Sequence, residues 1–192
     1  MDKKYIQDRS FKGTDFLNNE LIKGDYENCT FNNCFFSNFD LSGTDFIDCE
    51  FNNCDLSMAK TINTAFRNVK FTDCKLLGLH FDDCNKFLFA VNFKTCQLNL
   101  SSFYKQILKN IKFVDCQLNE VDFTEANLSG SKFENCDLSA AIFTNTILEK
   151  VDFKTSYNFS INPENNRIRK AKFSLSGVVG LLDKYNIEIE GI

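Results

Sequence analysis

Large apolar residues recur at every fifth position through most of this chain. From Phe11 to Phe81 the positions five apart are Phe, Leu or Tyr with Thr61 as the one exception, and from Leu88 to Phe153 they are Phe or Leu throughout. A helix repeats every 3.6 residues and a strand every 2, so neither places an apolar side chain at every fifth position. The chain is therefore to be read as a repeat architecture. Stretches such as ANLSG (126–130) and CDLSA (136–140) supply the rest of the unit: a small residue two before the large one, a polar residue between them, and Ser, Asn or Gly after it. The same rule explains 22 Phe beside a single Pro and no Trp.

A second period lies inside the first. Between Phe81 and Leu88 the spacing is seven, which places a two-residue insertion within 82–87. With it looped out, Phe11, Phe31, Phe51, Phe71, Phe93, Phe113, Phe133 and Phe153 form one all-Phe column with a period of twenty. Cys34, Cys54, Cys74, Cys96, Cys116 and Cys136 form another, and Cys29, Cys49 and Cys84 occupy the equivalent small position elsewhere. A free Cys packs as a small hydrophobe, whereas a metal site gathers its sulfurs at one point, so the nine cysteines are read as core. The N-terminus lacks the apolar run of a signal peptide and no stretch approaches the roughly 18 apolar residues of a membrane span, so the expected location is cytoplasmic, without membrane contact and with thiols reduced.

These units resemble the pentapeptide-repeat family, whose motif is a small residue, Asp or Asn, Leu or Phe, Ser or Thr, then any residue. The resemblance implies an all-β fold, a right-handed quadrilateral β-helix of about seven coils, each built from four pentapeptides. Residues 1–10 are expected to cap one end, residues 11–153 to form the β-helix, and residues 154–192 to close the other end.

In that last segment the period stops. TSYNFSINPENNR (155–167) has the composition of a turn, and RIRKAKF (167–173) that of a short edge strand. Leu175, Val178, Val179 and Leu182 then stand at i, i+3, i+4 and i+7, which predicts a short C-terminal helix capped by Ser174 or Ser176. Gly177 and Gly180 weaken it by about 1 kcal/mol each, so packing must hold it. Ile187 and Ile189, alternating with Glu188 and Glu190, suggest a final strand. The segment either seals the core or meets a second copy. INPENNRIRKAKFS, followed by GVVGLLDKY and IEIEG, is similar to the tail of pentapeptide proteins that protect bacterial DNA gyrase, of the quinolone-resistance and microcin-immunity types. That resemblance implies a homodimer whose interface includes Leu175, Val178, Val179, Leu182, Tyr185, Ile187 and Ile189.

Nothing in the sequence announces an enzyme. The one histidine, His80, precedes an inward Phe and points outward; there is no phosphate loop, Cys/His nucleophile pair or HExxH, and no catalytic residue, metal or cofactor is expected. Charge is more informative. Residues 11–58 carry Asp15, Glu20, Asp25, Glu27, Asp40, Asp45, Asp48, Glu50 and Asp55 against Lys12 and Lys23, while 59–153 balance. Seven net negative charges over about 12 Å of shaft approach the linear density of duplex DNA, one per roughly 1.7 Å. The resemblance gives this a meaning: a DNA mimic that binds type II topoisomerase (DNA gyrase) and protects it from a toxin or an antibiotic such as a quinolone. A scaffold or adaptor for an unrelated protein is the other reading. The insertion region, Asp82, Asp83, Asn85, Lys86 and Phe87, is a second candidate contact, shorter than the loops of gyrase-protecting relatives. Two basic patches, around Lys105, Lys109 and Lys112 and around Arg167, Arg169, Lys170 and Lys172, lack the aromatic platform of a nucleic-acid reader, so no direct nucleic-acid binding is expected.

Overall fold

The computed structural model describes residues 4–16 and 21–190. Eleven short strands stack in two parallel sheets on two sides of a β-solenoid. The shorter sheet orders β1 (Lys4–Gln7), β3 (Gly24–Glu27), β5 (Asp45–Ile47) and β7 (Ala65–Arg67). The longer one orders β2 (Ser10–Lys12), β4 (Thr30–Asn32), β6 (Glu50–Asn52), β8 (Val69–Thr72), β9 (Val91–Lys94), β10 (Lys112–Val114) and β11 (Lys132–Glu134). Single bridges hold the other two sides, as in Asp15↔Phe35↔Asp55↔Lys75↔Gln97 and His80↔Ser102↔Asp122↔Ile142. The register steps by twenty, and by twenty-two where Val69 pairs with Val91 across the insertion.

The five-residue unit works because each side ends in a corner. Corner residues adopt left-handed backbone, which Asn, Asp and Gly tolerate best: Asn33, Asn53, Asp73 and Asn135 have φ between 50° and 54°. Their N–H groups leave the coil and donate to the next one, Asn33 to Asn52 O at 2.9 Å and Asn53 to Thr72 O at 2.9 Å. Backbone polarity is thus satisfied between coils while the large side chains turn inward.

Inside, the Phe column stacks at ring separations of 4.6 Å for Phe31–Phe51 and 4.7 Å for Phe113–Phe133, with neighbouring columns meeting edge-on. Thr61, the exception to the period, is buried and donates its hydroxyl to His80 O at 2.6 Å, so the break costs no orphaned polar group. All nine cysteines are free and buried. Cys54 Sγ donates to Phe31 O at 3.3 Å, and burial pushes the Cys49 and Cys84 thiols up to about 12.

Several expectations are corrected. Residues 4–10 are not a separate cap but the first coil, since β1 pairs with β3 and β2 with β4. Asp82 and Asp83 are not looped out: they form a 3₁₀ turn, Phe81–Asp83, whose last carbonyl still accepts from Asn63 N in the regular ladder. The departure is Lys86–Phe89, bounded by Asn85 N donating to Thr64 O and Ala90 N to Phe66 O. Leu88, fifth in the period, is exposed with φ 56°, and Phe89 turns inward instead, edge-on to Phe81. Seven residues crossing a side built for five cannot keep the inward direction at the same count, so the ring one place later fills the core.

The shaft also continues beyond Phe153. Tyr157, Arg167 and Lys172 bridge to Asp137, Ile147 and Asp152, and Phe173 stacks on Phe153 at 5.5 Å. RIRKAKF therefore belongs to a last, degenerate coil rather than an edge strand. Its polar inward residues are satisfied by backbone: Ser156 Oγ donates to Phe133 O and Asn166 Nδ2 to Phe143 O. The expected C-terminal helix appears as two 3₁₀ turns, Gly177–Leu181 and Asp183–Tyr185, and residues 186–190 form no strand. Gly180 explains the tight packing. Ile161 N donates to Gly180 O at 2.9 Å, and a Cβ at Gly180 would lie 2.0 Å from Phe159 O. Glycine is there for close approach to the end of the core.

Candidate functional site

The solenoid offers surfaces rather than a pocket. Among the described residues no group of three or more His, Cys, Asp or Glu side chains is placed to hold a metal ion, and no helix is long and apolar enough to cross a membrane. His80 is exposed, with Nδ1 3.3 Å from Asp82 Oδ1. The cavity beside the cap, about 500 Å³, is an open cleft between Tyr157–Phe159 and the turn at Gly177–Gly180.

Eight of the nine acidic candidates can be placed; Glu20 lies outside the described residues. They are distributed over all four sides because the positions before and after each inward residue face out whichever side they belong to. On the shorter sheet Asp25 and Asp45 are in register on adjacent strands, about 4.8 Å apart, with Glu27 two residues along. Asp45 is 3.5 Å from the Arg67 guanidinium, and the Glu27 carboxylate accepts from the Tyr5 hydroxyl, holding that phenol up to about 12. At the adjoining corner Asp48 accepts from Asn68 Nδ2 at 2.6 Å. On the longer sheet Glu50 pairs with Lys70 at 3.0 Å. On the third side Asp15 and Asp55 flank Phe35, whose ring is 52% exposed. On the fourth, hydrogen bonds from Ser42 and the ammonium of Lys23 at 3.2 Å hold the Asp40 carboxyl down at about 2.

The first coils are therefore acidic without forming one continuous stripe. Arg67 and Lys70, both beyond residue 58, neutralise part of the charge that a linear count assigns to them. Folding the sequence at a period of twenty would have revealed both pairs, since each partner lies twenty or twenty-two residues on. Phe35, an apolar ring between two acids, is the surface residue that the sequence reading passed over.

The seven cap residues do come together at one end. Leu175, Val178, Tyr185, Ile187 and Ile189 are exposed, Leu175 by 87%, and Val179 and Leu182 are half-buried beneath them. Glu164 anchors this end by accepting from Tyr185 Oη at 3.1 Å and pairing with Lys184. The five insertion residues separate: Asp82 and Asp83 stay in the ladder, Asn85 Oδ1 accepts from Phe87 N at 2.9 Å, and Lys86 and Phe87 project.

Two family models match the chain. Pentapeptide repeats (8 copies) covers 27–59 and 49–85, and Pentapeptide repeat region covers 86–157, so together they run unbroken from 27 to 157. No curated protein sequence matches it. Among solved structures, two trypsin-treated variants of QnrB1, a plasmid-mediated fluoroquinolone resistance protein, are similar at 22% identity each, with TM-scores of 0.57 and 0.58. The alignments cover 97% and 96% of this chain and 100% and 99% of theirs, a likeness of fold along the whole length.

Proposed function

The chain belongs to the pentapeptide-repeat family, and from that premise we propose that it is a non-enzymatic cytoplasmic binding protein that docks on a type II topoisomerase, DNA gyrase, in place of DNA. Bound there, it shields the enzyme from a toxin or an antibiotic such as a quinolone. The observation that carries this reading is the acidic first three coils, with Asp25, Glu27, Asp45 and Asp48 presented from one side and corner of a rod. A groove that binds DNA is lined with cations, and such a rod offers fixed carboxylates at about the spacing of stacked strands. Support also comes from the full-length likeness in fold to a fluoroquinolone resistance protein. The exposed apolar cap is where a second copy would meet the first in a two-fold dimer.

The test is DNA supercoiling by purified gyrase, titrated with this protein with and without a quinolone or a peptide poison. Rescue of supercoiling, or inhibition at high protein concentration, supports the reading, and the Glu27→Gln/Asp48→Asn variant should weaken either effect. No effect in any arm rejects it. The second reading, a scaffold or adaptor for another protein, is favoured by the spread of acids over four sides and by their ion pairs with Lys23, Arg67 and Lys70. Capture of a different partner, with no topoisomerase, would select it.

A further inference from the structure

The side that begins as the shorter sheet runs the length of the shaft. Beyond β7 come the projecting segment Lys86–Phe89 and then the bridges Ile107↔Asn127↔Ile147↔Arg167. Its charges are segregated along the axis. The first rungs carry Asp8, Asp25, Glu27, Asp45 and Asp48, against Lys4 and Arg67. The last carry Lys109, Lys150, Arg167, Arg169 and Lys170, against Glu149 alone. A groove of about 370 Å³ in the basic half is lined by Lys109, Asn127, Ile147, Lys150 and Arg167. Between the halves is an apolar knob: Phe87 and Leu88 are 68% and 64% exposed, and Ile107 on the next rung is 56% exposed.

This order is self-complementary. Counting rungs from Tyr5 to Arg167 gives nine, with Phe87 and Leu88 on the middle one. A two-fold axis through that rung brings Asp8 opposite Arg167–Lys170, Asp25 and Glu27 opposite Ile147–Lys150, and the apolar knob onto its own copy. Between these, Asp45 and Asp48 face the uncharged Asn127–Gly130 and Arg67 faces Lys109, so the complementarity resides in the two end regions, acidic at one and basic at the other. Isologous contact requires this arrangement, in which residue i meets j and j meets i. A parallel arrangement would set acid on acid. We infer that this side is a docking surface for a second copy of the chain, laid antiparallel, with Phe87 and Leu88 at the two-fold axis.

The surface is distinct from the cap and does not depend on the topoisomerase reading. Nine rungs at about 4.8 Å, each about 12 Å wide, bury roughly 500 Å² per copy. That lies at the low end for specific interfaces, so the pair is weak and concentration-dependent. Because its ends are held by exposed charges, salt screens it.

The experiment is sedimentation velocity of the full chain carrying Leu175→Glu and Ile187→Glu, two exposed cap positions, so that end-to-end association is silenced. Low salt should give a dimer whose dissociation constant rises about tenfold or more in several hundred millimolar salt. On that background Glu27→Lys/Asp48→Lys makes the side net basic, with Asp8, Asp25, Asp45 and Glu149 remaining, and Lys150→Glu/Arg169→Glu makes it net acidic. The positions tolerate the exchange, since the column of Asp48 already holds Lys150 and Lys170 in left-handed backbone and that of Glu27 holds Lys109 and Arg169. Each reversed chain should be monomeric alone, and a one-to-one mixture should form a pair. Circular dichroism checks that both fold. A monomer at low salt on the cap-silenced background, or a dimer that survives both reversals, overturns the inference. So does a mixture that stays monomeric, in particular if the unreversed chain captures a labelled DNA duplex and Lys150→Glu/Arg169→Glu does not, because the occupant is then a polyanion.

Discussion

Replacing Phe113 by Ala should cost about 4–5 kcal/mol of unfolding free energy, the upper part of the range for a buried Phe. Phe113 is fully buried, stacked between Phe93 at 5.1 Å and Phe133 at 4.7 Å, with Phe103 and Phe123 edge-on at 6.1 Å. The usual cost combines lost transfer energy with a cavity that neighbours partly fill. Here the neighbours cannot close in, because the parallel ladders above and below fix the rings at strand spacing, and the aromatic contacts contribute about 0.5–1.5 kcal/mol each beyond buried area. Phe113→Leu keeps most of the volume and should cost about 1–2 kcal/mol. Phe11→Ala, on the first rung with one stacked neighbour and partial exposure, should cost less than half as much as Phe113→Ala. The assay is urea unfolding followed by far-ultraviolet circular dichroism, since the chain has no Trp. A midpoint shift at constant m measures the loss, whereas a smaller m would mean that part of the solenoid has already unravelled. A cost below about 2 kcal/mol for Phe113→Ala, or equal costs at positions 11 and 113, would refute the argument that interior columns resist collapse.

At the insertion, Leu88→Asn should be neutral or stabilise by up to about 1 kcal/mol, because it relieves an exposed left-handed leucine, while Phe89→Ala should cost about 3 kcal/mol; the reverse order in urea melts would restore Leu88 to the core. Gly180→Ala drives a methyl into Phe159 O and should lift the cap, seen as faster tryptic cleavage at Lys184 with the urea midpoint of the shaft little changed; unchanged cleavage would contradict that close approach. No thiol should react with a disulfide reagent in the native protein, against nine after denaturation, as all are buried. Cys49 and Cys84 ionise near 9.0 when unfolded but hold their protons to about 12 when folded, so above pH 9 the unfolded state binds fewer protons and stability should fall up to pH 12. A urea midpoint that rises over that window would contradict their burial.

Much of the architecture was legible in one dimension because the repeat is one-dimensional. Each pentapeptide sees the same neighbours above and below, so the column of Phe11 through Phe153 and the column of cysteines could be read by counting. Counting failed where the local path of the chain changed. At Leu88 and Phe89 the inward direction depends on how the extra residues cross a side. At Phe159 the ladder keeps its step of twenty, from Asp137 to Tyr157 and from Ile147 to Arg167, but Asn158 takes left-handed backbone and the next residue turns inward; spacing encodes neither. The end of the shaft was misplaced for a related reason. Ser156 and Asn166 are poor core residues by type, yet backbone carbonyls in the coil beneath satisfy them and let the ladder run on to Phe173. In the cap, the spacing of Leu175, Val178, Val179 and Leu182 suggested an amphipathic helix. Gly177 and Gly180 instead bring the backbone against Phe159, and the segment tightens into 3₁₀ turns.

By itself the sequence determined the five-residue unit, the coil of twenty, the parallel stacking of Phe on Phe and the fate of all nine cysteines, since those follow from which side chains recur where. Only the tertiary structure decided how the chain crosses the insertion and enters the cap, that Arg67 and Lys70 come within 3.5 Å and 3.0 Å of Asp45 and Glu50, and that Phe87 and Leu88 project between the acidic and basic ends of one side. Linear counting sums charge along the chain, whereas electrostatic interaction depends on distance in space, and in a four-sided coil residues twenty apart are neighbours while residues five apart face different directions.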